Sequence, residues 1–345
     1  MENQTSNGEM TVLVTGGSGF LGGHAIVQLL ELGYSVRTTV RDLKREPEVR
    51  ASISLAVDAP GALTFFAADL NDDAGWTEAV AGCDYVLHIA SPFPNAQPKD
   101  AQELIVPARD GALRVIRAGL AAGVKRIVMT SSVAAVRGDG GPVRTTPYTE
   151  ADWTDPDASG VSAYAQSKTI AERAAWDLVD DAGARDRLAV VNPSLILGPV
   201  LGNESSTSLE VIERMLKGMP AAPKLSFGYV DVRDVAAMHI AAMTAGEAGG
   251  ERFIASGPSL WLDEASAILR EALPEEAKKA PTRVLPKSLV RVLALFDPGV
   301  RTFLPDIGKK AVFSAGKAES VLGWDARPVE TTIVECARSL IARNG

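Results

Sequence analysis

Short apolar runs of strand character alternate with helical periodicity through the first half of this 345-residue chain. Thr11-Val-Leu-Val-Thr15 opens the series, and Leu21, Ala25, Ile26, Leu29 and Leu30 then fall on one helical face. Residues 35–40 (Ser-Val-Arg-Thr-Thr-Val) read as a second strand, ending in Arg41 and a charged stretch through Arg50. Residues 63–68 read as a third strand closed by Asp69 and Leu70, residues 85–89 as a fourth and 126–130 as a fifth. Helical patterns near 73–81 and 100–122 lie between them. A loop rich in Gly, Pro and Thr spans 137–160, and a long amphipathic helix follows over about 162–182. Residues 188–191 form a sixth strand ending in Asn192-Pro193. This β-α-β-α-β order with apolar strands predicts an α/β protein, a doubly wound parallel sheet with helices on both faces. Such sheets bind ligands beyond the carboxyl ends of their strands, so the residues just past each strand are the ones to inspect.

The first of those positions is the turn Gly16-Gly17-Ser18-Gly19-Phe20-Leu21-Gly22. Glycines at 16, 19 and 22 let the backbone turn tightly and approach a phosphate. The N–H groups and dipole of the following helix then face its negative charge. A strand, a Gly-rich turn and a helix N-terminus together make a seat for a dinucleotide pyrophosphate on Gly16, Ser18, Gly19, Phe20, Leu21 and Gly22.

Beyond Asn192-Pro193 the alternation loosens. Residues 200–226 mix Gly, Ser and Pro around one short helix. Tyr229-Val-Asp-Val-Arg-Asp-Val235 leads into a helix through Ala245 that returns to the first lobe. Strand-like residues 252–255 and helices near 262–273 and 329–343 are assigned to a smaller lobe. The expected division is a disordered tail over 1–10 and a dinucleotide-binding domain over 11–198 plus about 229–245, with a substrate-binding lobe over 199–228 and 246–345.

With 46% hydrophobic residues the chain can bury a large core, and a net charge of -8 argues against a nucleic-acid or acidic-membrane partner. The only two cysteines, Cys83 and Cys336, have no metal spacing around them; a disulfide scaffold is excluded, a reducing compartment is the natural home, and no metal site is expected. The first ten residues are polar and no apolar run reaches membrane-spanning length, so a cytoplasmic protein is expected. His24, His88 and His239 are scattered through apolar patterns and read as structural. Asp231, Arg233 and Asp234 read as bracing between the lobes. Whether the chain is a monomer or a homodimer stays open.

Tyr164 and Lys168 sit one turn apart on one face of the long helix, at the mouth of the predicted cleft, with Ser131 and Ser132 just past strand five. A tyrosine hydroxyl, with a free pKa of about 10, is a protonated general acid at neutral pH, and a neighbouring ammonium lowers that value. With the glycine turn, these elements resemble the extended short-chain dehydrogenase/reductase family over essentially the whole chain. The likeness is strongest to its dihydroflavonol reductases, cinnamoyl-CoA reductases and microbial aldehyde or ketone reductases. The marks are Val36-Arg-Thr-Thr-Val-Arg-Asp42, His88-Ile-Ala-Ser-Pro92, Thr130-Ser-Ser132, Tyr164-Ala-Gln-Ser-Lys168, Asn192-Pro193, Gly198-Pro199 and Tyr229-Val-Asp-Val-Arg-Asp-Val-Ala236. The resemblance implies a Rossmann fold and catalysis by Ser132, Tyr164 and Lys168. Tyr164 would give the proton, Ser132 would hold the substrate oxygen, and Lys168 would also bond the nicotinamide ribose.

Strand two ends in Arg41, with Lys44 and Arg45 close behind, and an Arg here suits a ribose 2′-phosphate where an acidic residue suits NAD. NADPH is therefore the expected cofactor, with Asp42 next door as the complication. By resemblance Asp69 and Leu70 contact adenine, Ala90 and Ser91 line the cofactor, and Pro193, Ile196 and Ser208 touch the nicotinamide or its phosphate side. The function expected is an NADPH-dependent reductase of aldehydes or ketones. The alternatives are an NAD-dependent sugar-nucleotide epimerase or dehydratase, a 3β-hydroxysteroid-type dehydrogenase and a non-catalytic NADP-binding sensor. The plant flavonoid reductases carry an Asn five residues after the catalytic serine. Here that position is Arg137, which puts a flavonoid substrate in doubt.

Overall fold

The computed structural model describes residues 10–58, 60–92, 100–138, 141–202, 204, 206–295 and 304–344, so residues 1–9 of the tail expected over 1–10 lie outside the described residues. Strands β1 (Thr11–Thr15), β2 (Ser35–Val40), β3 (Leu63–Ala67), β4 (Tyr85–His88), β5 (Arg126–Thr130) and β6 (Leu188–Pro193) alternate with helices. Those helices are α1 (Phe20–Glu31), α2 (Glu46–Ser54), α3 (Trp76–Val80), α4 (Gln102–Ala121) and α5 (Ala163–Asp181). There follow β7 (Leu195–Leu197), α6 (Thr207–Lys217), β8 (Ala222–Pro223), β9 (Ser226–Asp231), α7 (Val232–Thr244), β10 (Arg252–Ala255) and β11 (Ser259–Trp261). The chain ends with α8 (Leu262–Ala272), β12 (Val284–Leu285), α9 (Lys287–Leu293), α10 (Gly316–Leu322) and α11 (Val329–Asn344).

Seven strands form one parallel sheet in the order β10-β6-β5-β4-β1-β2-β3. Its central strands β1, β4, β5 and β6 are apolar through their middles because both faces are covered, with polar residues at their ends. Val12, Val14, Leu87, Val128, Ala189 and Val191 feed one core, while Leu13, Val86, Ile127, Met129, Leu188 and Val190 feed the other. Each such side chain, taken out of water, contributes about 1.5–3 kcal/mol. Helix α2 was unread in the charged stretch. Pro47 and the acidic Glu46 and Glu48 start it, and Val49 and Ile53 bury its one apolar face.

The expectation that residues 252–255 belong to the smaller lobe is corrected. As β10 they pair in parallel with β6, Phe253 opposite Val191, and extend the large sheet. A four-residue buried strand carries no sign of its partner in its own sequence. A second, three-stranded sheet joins β7, β9 and β11. The charged motif at the β9–α7 junction braces this region. Asp231 accepts the Arg233 N–H (2.9 Å) as the helix cap, pairs with the Arg233 guanidinium (2.7 Å) and takes the Thr332 hydroxyl of α11 (3.0 Å). Asp234 accepts the Arg327 N–H (2.7 Å). The loop after β5 is tied down by backbone bonds from Tyr148 to Val312 and from Ser314 to Tyr148. Among the described residues no helix is long and apolar enough to cross a membrane.

Candidate active site

Strand order reverses between β1 and β4, where Thr15 lies opposite His88. The glycine turn sits in that crevice. Gly16 has φ +74°, and its carbonyl accepts the Gly19 N–H (2.9 Å). A Cβ on Gly22 would stand 2.2 Å from the Gly16 oxygen, and one on Gly16 3.0 Å from Ala90 Cα, so the backbone itself fills the space a side chain would need. Gly19 caps α1 without a side-chain bond. The first-turn N–H groups of Phe20, Leu21 and Gly22 therefore have no intrahelical acceptor and suit an anion. Thr15 fastens the crevice from below. Its hydroxyl accepts the Ala90 N–H (3.0 Å) and shares a hydrogen bond with His88 Nδ1 (2.9 Å). Burial, helped by the nearby Lys168 ammonium, pulls His88 down to about 3, so the ring is neutral.

Ser132, Tyr164 and Lys168 come together one strand away. Ser132 Oγ accepts the Ala134 N–H (3.1 Å) and bonds the Tyr164 hydroxyl. Helix α5 is started by Ser162, which accepts the Ala165 N–H (3.2 Å), and it presents Tyr164 and Lys168 on one face. Burial pushes the Tyr164 hydroxyl above its ordinary value, opposed by the Ser132 hydrogen bond. Lys168 is buried and donates to Ser91 Oγ (3.0 Å); burial lowers it to about 8, opposed by the charge of Glu172. At Tyr164 the desolvation of the phenol outweighs the Ser132 bond.

The profile of the family described as NAD dependent epimerase/dehydratase family matches residues 12–255. The chain belongs to that family. It is 36% identical over 268 residues to tetraketide alpha-pyrone reductase 2 of Arabidopsis thaliana, covering 76% of this chain and 82% of the relative. It is 33% identical over 332 residues to cinnamoyl-CoA reductase 1 of Petunia hybrida, covering 95% of this chain and 91% of the relative. Among solved structures, yeast methylglyoxal/isovaleraldehyde reductase Gre2 complexed with NADPH superposes with TM-score 0.80 at 25% identity, over 97% of this chain and 99% of that one.

Around this epimerase/dehydratase-family crevice the remaining predicted residues fall as follows. Arg41 and Lys44 are exposed just past β2. Arg45 Nη1 donates to Ser18 Oγ (3.2 Å), which joins this basic cluster to the glycine turn. Asp42 Oδ1 accepts the Lys44 N–H (2.9 Å), so one oxygen of the acidic complication caps a helical turn. Past β3, Asp69 Oδ1 accepts the Asn71 N–H (2.8 Å), and Leu70 packs against Gly111 of α4. Pro193 is buried at the end of β6. Ile196 pairs with Val230 in the smaller sheet. Ser208 lies in the first turn of α6 with its hydroxyl on Ser206 (2.9 Å).

Arg137 is 8% exposed, pairs with Asp306 (2.8 Å) and donates to the Gly141 carbonyl (3.0 Å). It ties the loop after β5 to the C-terminal region rather than standing free for a substrate anion.

Sequence reasoning missed Glu172 and Arg252. Glu172 is fully buried one turn beyond Lys168 and accepts from Ser131 Oγ (2.5 Å), Asn192 Nδ2 (2.8 Å) and Arg252 Nε (2.5 Å). The signal available was spacing alone, since Tyr164, Lys168 and Glu172 repeat at i, i+4 and i+8.

Proposed function

We propose that this chain is an NADPH-dependent reductase that converts an aldehyde or ketone to the alcohol, with Ser132, Tyr164 and Lys168 as its catalytic residues. The observation that carries the reading is the Ser132–Tyr164 hydrogen bond beside the buried Lys168, across the sheet from a glycine turn with no room for side chains. The reductases among its relatives and the NADPH in the Gre2 structure support it.

The residues present fit the cofactor. The backbone of Gly16, Gly19 and Gly22 and the first turn of α1 would take the pyrophosphate. Arg41, Lys44 and Arg45 would take the 2′-phosphate, and Asp69, Leu70, Ala90 and Ser91 would border the adenosine and ribose side. Pro193, Ile196 and Ser208 would border the nicotinamide side. Bound there, the reduced nicotinamide supplies a hydride to the carbonyl carbon.

The protein's part is the proton. A carbonyl oxygen held by Ser132 Oγ and the Tyr164 hydroxyl gains electron density as its carbon is reduced and takes the phenolic proton. Burial keeps Tyr164 protonated at neutral pH until that moment, and the Ser132 bond favours the phenolate left behind. One hydride and one proton add across the C=O bond, giving the alcohol. Lys168, near 8, is mostly cationic at neutral pH and would anchor the ribose. The small-molecule substrate would be chosen by the region beyond β6, and buried thiols at Cys83 and Cys336 suit a reducing compartment such as the cytoplasm.

Purified protein is expected to oxidise NADPH with activated ketones or aromatic aldehydes. Tyr164→Phe should lower kcat by about a thousandfold and leave NADPH affinity within about twofold, read by fluorescence titration. Substantial turnover in the variant removes Tyr164 as the acid. No wild-type turnover across a wide carbonyl panel with either cofactor favours the epimerase or sensor reading.

A further inference from the structure

The Glu172 carboxylate sits where four elements meet. Oε2 takes the Ser131 hydroxyl just past β5 and the Asn192 amide of β6, and Oε1 takes Arg252 Nε of β10 and Trp176 Nε1 (3.4 Å) of its own helix. Asn192 Nδ2 also donates to the Ser132 carbonyl (3.1 Å). Arg252 is held in turn by the carbonyls of Glu150 (2.8 Å) and Asp152 (3.0 Å) and lies 3.6 Å over the Trp153 ring. Glu172 and Arg252 side chains are 0% and 7% exposed, so neither charge is screened by water.

We propose that Glu172 is a positioning residue that keeps Lys168 an ammonium and fixes the main chain of Ser132, with Arg252 setting how much of its charge Lys168 feels. The proposal rests on the reading of Ser132, Tyr164 and Lys168 as the catalytic residues. The titratable and charged groups around Lys168 are Tyr164 and Glu172 on its own helix, neutral His88 at the end of β4, and Arg252 behind Glu172. Of these only Glu172 carries a negative charge at neutral pH. A buried lysine without a counter-charge loses its proton readily. Glu172 opposes that loss, and lies four residues from Lys168 on the same helical face.

The test reads Lys168 directly. Protein carrying 13Cε-labelled lysine is titrated by NMR, with Lys168 assigned by the signal lost in Lys168→Arg. The wild-type midpoint is expected near 8. Glu172→Gln keeps the shape and removes the charge, and should lower the midpoint by about one pH unit, the low end of the effect of a charge about 4–6 Å away. Arg252→Gln unmasks Glu172 and should raise it, and the double variant should fall between.

In turnover, the one-unit shift predicts that Glu172→Gln loses about ninefold in kcat/KM at pH 9 and almost nothing at pH 6, which simple loosening of the fold would not reproduce. If Glu172→Gln does not fold, the upward shift in Arg252→Gln decides. Midpoints unmoved in every variant that folds overturn the proposal. Midpoints that move in a chain without carbonyl turnover sustain it and refute the reductase reading instead.

Discussion

Two neutral histidines clamp the two halves of the crevice, and acid should release both. His88 holds Thr15 below the glycine turn. His239 of α7 donates from Nδ1 to the Val235 carbonyl (2.7 Å), so its Nε2 accepts the hydroxyl of Thr130 (2.7 Å), the last residue of β5 before Ser131. Burial lowers them to about 3 and about 4, against 6.5 for a free imidazole. Because the folded values are depressed, the unfolded chain takes up more protons as pH falls below about 6.5, and stability falls with it until the folded rings also titrate. Between about pH 7 and pH 5 each ring should cost about 2 kcal/mol, together about 4, a large part of the roughly 5–15 kcal/mol that holds a domain folded. Urea unfolding at the two pH values measures this difference. His239→Gln should remove about half of it whatever the variant does to stability at neutral pH, and His88→Gln should do the same. A wild-type difference that neither substitution reduces would show that these rings are not buried neutral and would refute the reasoning.

Two further outcomes bear on the cofactor seat. Arg41→Ala should raise the Michaelis constant for NADPH by about tenfold or more while changing that for NADH less than about twofold, in steady-state assays with each cofactor; equal effects on both would remove Arg41 from the 2′-phosphate. Gly22→Ala forces a methyl to 2.2 Å from the Gly16 oxygen, so the turn must shift. NADPH affinity by fluorescence should fall about tenfold or more and stability by about 1–3 kcal/mol. An unchanged dissociation constant would disconnect the turn from dinucleotide binding.

The features legible from the chain are those written in local spacing. Apolar runs at Val12–Val14, Val86–Leu87 and Ile127–Met129 specify buried parallel strands, and the three-residue glycine period specifies the turn, because strand and turn conformations depend on adjacent residues. Tyr164 and Lys168 are legible for the same reason, being one helical turn apart. Helix α2 was hidden because its apolar face is only Val49 and Ile53 in a stretch dominated by charge. The effect of Asp42 was hidden too. A carboxylate beside Arg41 reads as a competitor for the ribose until its bond to the Lys44 N–H is seen.

What stayed unreadable is pairing across the fold. Residues 252–255 are a short apolar strand in any reading, and only the register with β6 makes them the sheet's edge and delivers Arg252 to Glu172 across 80 residues of sequence. A buried glutamate in a helix reads as an error without that partner, and a buried arginine in a strand reads the same way. Each is costly alone, because an unpaired charge cannot leave water cheaply. The pair is tolerated only when Ser131, Asn192 and Trp176 complete its hydrogen bonds. Of these, Ser131 adjoins Ser132 and Asn192 bonds the Ser132 carbonyl, and the charge of Glu172 is left one turn from Lys168. The same buried charge that makes the core expensive to build is thus the one that bears on the protonation of the lysine. Neutralising the pair with Gln at both positions should therefore spare the fold more than it spares the alkaline limb of the pH–rate profile.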